Sequence, residues 1–119
     1  MNGLAAYKEN SVLTASKAGL VVKLYEGAIK FLAMGVDEAL AGHPDKKGEY
    51  IGRAMAIIEE LDTSLDMRAG GEIAHNLHEL YIFMNTHLAK ACIMEDVGPL
   101  REVAKLLREL NEGWKAISG

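Results

Sequence analysis

Between Leu20 and Leu40 the chain carries more apolar side chains than one face of a helix can hold. At 100° per residue, Leu20, Val21, Val22, Leu24, Tyr25, Ile29, Phe31, Leu32, Met34 and Val36 cover an arc of roughly 240°, leaving Lys23, Glu26, Lys30 and Asp37 opposite. A helix in an ordinary bundle shows a much narrower stripe. Apolar surface beyond what neighbouring helices can bury must be covered by the chain's own ends, by a second copy or by another protein. This feature points to binding rather than to chemistry.

Three further segments have helical period. Ile51, Ala54, Ile58, Leu61 and Leu65 form a single 3,4 seam with Arg53, Glu60 and Thr63 on the far side. Ile73, Leu77, Leu80, Tyr81, Met84, Leu88 and Ala91 make the main stripe of another helix, and Leu100, Val103, Leu107, Leu110, Trp114 and Ile117 that of the last. Stop and start signals separate them. Ser16 is available as the first N-cap, Gly42 to Asp45 breaks the chain with Pro44 barring continuation and Asp45 offering a cap, Gly70-Gly71 closes the second helix, and Pro99 suits a first helical turn. The expected helices span about 17–41, 46–68, 72–95 and from 99 onward. With no strand-period segment and short links, the fold expected is all-α: an antiparallel up-and-down four-helix bundle over residues 16–119, preceded by an extended N-terminal segment 1–15, in one domain.

About half of the 119 residues are apolar, enough for one sizeable core. Thirteen basic and 17 acidic residues give a net charge of −4, with no basic stripe on any face, which argues against nucleic acid or an anionic membrane as partner. Lys46-Lys47 reads as a solvated pair. No run of apolar residues reaches membrane length, and Lys8, Glu9 and Asn10 interrupt the start where a secretory signal would be apolar, so a cytoplasmic, soluble protein is expected. The lone Cys92 has no internal partner for a disulfide and reads as a small packed hydrophobe.

Candidate chemical sites fail on spacing or phase. Glu72-Ile-Ala-His75 matches the Glu-x-x-His of di-metal bundles, but such sites need a second copy and two further glutamates, and Glu72, His75, His78 and Glu79 all lie away from the main stripe. His78-Glu79 lacks the later histidine of a zinc-protease helix, Ile82 standing in its place, and Gly70-Gly71 lacks the lysine of a phosphate loop. No catalytic residue, metal or cofactor is expected. Asp62 and Asp66 flank the seam of the second helix, either solvated or accepting donors from a neighbouring element. Tyr25, Tyr50, Tyr81 and Trp114 read first as core filler, while Tyr7, ahead of any helix, has a packing role as its only rationale.

Taken together, Ala6-Tyr7, Val12-Leu13-Thr14-Ala15-Ser16, Leu24-Tyr25-Glu26-Gly27-Ala28-Ile29, Leu61 with Leu65-Asp66, Gly70-Gly71-Glu72-Ile73-Ala74, Asn76-Leu77, Leu80-Tyr81, Val103, Leu106-Leu107, Glu109-Leu110 and Gly113-Trp114 resemble the pattern of the flagellin-specific secretion chaperones, the FliS family. The resemblance covers nearly the whole chain. Lys17 stands where the family usually has proline, and the link from Gly42 to Gly48 has a composition particular to this chain. The resemblance implies a helical bundle without catalytic residues that binds the disordered C-terminal region of flagellin, prevents its premature polymerisation and passes it to the flagellar export apparatus.

Residues and resemblance meet on surplus apolar surface. Besides its main stripe, the third helix has Ile82, Ala89 and Ile93 some 160° away, with Phe83 and Met94 off the other edge. The expected partner-binding residues are Tyr7, Val12, Leu13, Val22, Tyr25, Ile29, Ile82, Phe83 and Ile93. Helices 1 and 3 are diagonal in such a bundle, so a client touching both must wrap around it. Tyr7, Val12 and Leu13 are expected to cover part of that surface in the free protein and to move aside for the client. Weak self-association through the same face is also allowed, and a homodimeric adaptor or a ferritin-like metal bundle are the alternative readings.

Overall fold

The computed structural model describes residues 18–118, and within them the chain forms four helices: α1 Ala18–Leu40, α2 Pro44–Thr63, α3 Gly71–Ala91 and α4 Gly98–Ser118. The expected N-cap Ser16 and the segment holding Tyr7, Val12 and Leu13 lie outside the described residues. α1 packs closely along both α2 and α4, and α3 completes the bundle against α2 and α4 with its backbone standing farther off. α1 and α3 are therefore diagonal.

The core follows the predicted seams. Val21, Tyr25, Ala28 and Leu32 from α1 meet Ile51, Ala54, Ile58 and Leu61 from α2, with Leu77, Tyr81, Met84 and Leu88 from α3 and Leu100, Val103, Leu107 and Trp114 from α4. Gly35 lets α1 approach its neighbours this closely: a Cβ there would stand 3.1 Å from Leu100 Cδ2 and 3.8 Å from the Lys47 carbonyl oxygen. At the end of α1, Gly42 takes φ of +80°, and the His43 N–H reaches back 2.9 Å to the Glu38 carbonyl, the glycine-closed helix end that satisfies a terminal carbonyl.

Element ends depart from expectation for local reasons. Pro44 begins α2 instead of preceding it, because its missing N–H costs nothing in a first turn, and Asp45 is thus in that turn rather than capping it. α2 stops at Thr63, five residues early. There the Thr63 and Ser64 hydroxyls donate to the Glu60 and Leu61 carbonyls at 3.1 and 2.7 Å, competing with the helical ladder, and Asp66 Oδ1 then accepts the Arg68 and Ala69 N–H groups at 3.1 and 2.9 Å. Gly70-Gly71 consequently opens α3 rather than closing α2. α3 ends at Ala91, leaving Cys92 exposed instead of packed. Ile73, expected in the α3 stripe, is exposed, since the inward positions begin one residue later at Ala74. Lys47 is buried rather than solvated, its ammonium donating to the Met94 carbonyl and tying the α3–α4 link to the start of α2.

Candidate functional site

α1 absorbs most of its own surplus. Because it has two close neighbours, Val22, Leu24, Ile29, Phe31 and Val36 are half-buried against the core, and only Leu20 and Leu40 at its ends are well exposed. Apolar exposure instead gathers on and just beyond α3, at Ile73, Ile82, Phe83, Ile93 and Met94. Ile93 is 91% exposed, Ile82 49% and Phe83 47%, so all three expected contacts on this side are accessible. Phe83 stacks on His87 with ring centroids 5.3 Å apart, and His87 Nε2 meets Glu102 Oε2 on α4 at 2.9 Å. On the other side of α3, His78 Nδ1 pairs with Asp62 Oδ1 of α2 at 2.7 Å, so Asp62 holds a neighbouring element in place and His78 leans onto the bundle rather than facing outward.

Tyr25 is not a surface contact. It is fully buried at the centre of the bundle, its hydroxyl 2.5 Å from that of Tyr81 and its ring tilted against Trp114 at 6.4 Å. Its position on α1 faces the diagonal helix, where the hydroxyl finds a partner that water would otherwise supply. Burial raises the pKa of both phenols; at Tyr25 the hydrogen bonds to Tyr81 and Trp114 oppose the shift, whereas at Tyr81 the neighbouring Tyr25 and Asp62 add to it. The folded state therefore holds protons that the unfolded chain releases near pH 10. This contribution to stability is complete below pH 10 and is lost as pH rises above it, by at most about 1.4 kcal/mol per unit for each phenol. A Tyr25→Phe, Tyr81→Phe double variant should accordingly lose less melting temperature between pH 10 and 11 than the parent; equal losses would refute the coupling.

Two shallow grooves flank these helices. One runs between α1 and α4 over Ile29, Val36, Leu100 and Arg108 to Asn111, and the other lies between α2 and α3 over Ile58, Tyr81, Ile82 and Asn85. Asn85 and Asn111 went unread in the sequence, and Lys47, read there as solvated, had its burial missed. Two of them carried a signal: Asn85 follows Tyr81 by four and precedes Leu88 by three, and Asn111 stands likewise between Leu107 and Trp114, so both amides occupy seam positions. Among the described residues no group of three His, Cys, Asp or Glu side chains is placed to hold a metal ion, and Glu72 and His75 are both exposed. No described helix is long and apolar enough to cross a membrane.

Over residues 1–119 the sequence fits the family described as flagellar protein FliS. The chain belongs to the FliS family. It is 37% identical to the flagellar secretion chaperone FliS of Salmonella typhimurium, an alignment covering 98% of this chain and 90% of that one. Identity to the FliS chaperone of Vibrio cholerae is also 37%, across 96% and 87% of the two chains. The Bacillus subtilis FliS chaperone is 31% identical, across 96% and 84%. FliS proteins are chaperones of flagellar secretion, not enzymes, and this one acts as a chaperone in flagellar export.

Proposed function

We propose that this FliS protein binds the disordered C-terminal region of newly made flagellin in the cytoplasm, blocks its premature polymerisation and hands it to the flagellar export apparatus in a secretable state. The observation that carries this reading is the apolar exposure at Ile82, Phe83, Ile93 and Met94 on a bundle whose core is already closed. Grooves on opposite sides of the bundle suit a client that is unstructured alone and gains its order by wrapping. Each Leu, Ile or Phe buried on binding contributes roughly 1.5–3 kcal/mol, so five or six such contacts outweigh the ordering entropy and give submicromolar affinity. Calorimetric titration with a peptide of the flagellin C-terminal region should give stoichiometric binding, and added chaperone should suppress flagellin polymerisation followed by light scattering. Absence of heat and unaltered polymerisation would overturn the proposal. A stable dimer indifferent to the peptide in sedimentation would favour a homodimeric adaptor instead.

A further inference from the structure

Each groove contains a carboxamide that the fold leaves incompletely bonded. Asn111 on α4 is only 2% exposed, yet its Oδ1 has no donor among the described residues. Asn85 on α3 donates Nδ2 to the Met55 carbonyl at 3.2 Å, while its own buried Oδ1 is likewise without a donor. Buried amide oxygens are almost always paired, and an unpaired one lowers stability in a way that a leucine, branched alike at Cγ though larger, would not. The two lie in different grooves: Asn111 with Ile29 and Arg108 between α1 and α4, Asn85 with Ile58 and Ile82 between α2 and α3.

We infer that Asn111 and Asn85 are main-chain readers, each turning its buried carboxamide toward the groove as the client seats and accepting a backbone N–H from it, so that the wrapped polypeptide is held in both grooves by its peptide groups as well as by its apolar side chains. The occupant must offer unpaired N–H groups beside apolar side chains, as an extended or partly folded segment does. A second copy of this bundle would present helices whose N–H groups are already bonded within themselves. Charge adds a further requirement. Arg108 lines both halves of the α1–α4 groove and makes no ion pair among the described residues; with Arg101, Lys30 and Lys115 against Asp37, Glu26 and Glu112, cations exceed carboxylates by one, so the groove suits a segment with a single carboxylate near Arg108. Reading through the backbone makes binding tolerant of side-chain variation between flagellins. This inference rests on the proposed binding of flagellin and adds the chemistry by which the segment is recognised.

The test compares Asn111→Leu and Asn85→Leu with the parent in the full chain, measuring melting and calorimetric affinity for the flagellin C-terminal peptide, with Ile82→Asp as a control. Asn111→Leu is expected to melt a few degrees higher and to bind about tenfold more weakly, because the orphan oxygen disappears from the free state and its bond from the complex. Asn85→Leu should also bind more weakly, its melting gain offset by loss of the bond to Met55. If leucine proves too bulky at 111, Asn111→Ala must still show the affinity loss. Asparagine variants that bind like the parent, while Ile82→Asp binds weakly, overturn the inference and leave the proposed function standing. A parent that fails to bind the peptide overturns both. Should Asn111→Leu melt lower than the parent, the affinity of Asn111→Ala decides, and parent-like binding by that variant overturns the inference too.

Discussion

Tyr25→Ala is expected to remove about 3–5 kcal/mol of stability, as other deletions of a buried aromatic side chain do. A domain of this size holds only about 5–15 kcal/mol in all, so the loss corresponds to a fall in melting temperature of roughly 10–25 °C. The cause is specific to the site. Tyr25 is fully buried, lies edge-on to Tyr81 at 6.5 Å between centroids, and shares with it the short hydroxyl contact that spans the diagonal of the bundle. Truncation opens a cavity against Trp114 and strands the Tyr81 hydroxyl in apolar surroundings. Tyr25→Phe keeps the ring and loses only the hydroxyl bond, which costs about 1–2 kcal/mol. Thermal melting by circular dichroism separates these outcomes. A Tyr25→Ala protein that melts like the parent would mean that the ring is not the keystone of the core.

The bundle itself was legible because its four seams repeat at 3 and 4, and the structure buries Ile51, Ala54, Ile58 and Leu61 or Val103, Leu107 and Trp114 as that period requires. Helix ends were less legible. The early stop of α2 depends on Thr63 and Ser64 hydroxyls turning onto carbonyls, a local competition that leaves the apolar period undisturbed, for Leu65 is buried beyond the helix end. Tyr25 illustrates the main limit on reading the candidate site. The width of an apolar arc says that a helix has much to bury but not how many neighbours it has, and α1, close to two helices, uses side chains that a less surrounded helix would expose. α3, with a backbone farther from both neighbours, leaves its second stripe open. Lys47 escaped because its partner is the Met94 carbonyl, 47 residues away, and a backbone acceptor carries no mark in the sequence.

That asymmetry sets the second large effect. Ile82→Asp, Ile93→Asp is expected to weaken binding of the flagellin C-terminal peptide by about 100-fold or more while shifting stability by no more than about 0.5 kcal/mol per site. In the free protein both side chains already face water, Ile93 almost completely and Ile82 by half, so carboxylates there remain hydrated and leave no cavity. In the complex each position would forfeit apolar burial worth up to about 1.5–3 kcal/mol and would bring an unpaired carboxylate under the client. Val22→Asp provides the contrast, because Val22 packs partly against the core and a charge there must lower stability together with affinity. Calorimetry and melting on the same samples therefore separate surface from core: the α3 pair should lose affinity alone, and Val22→Asp should lose both. A double variant that binds the peptide within twofold of the parent would remove the outer face of α3 from the client's path and direct the search to the groove between α1 and α4.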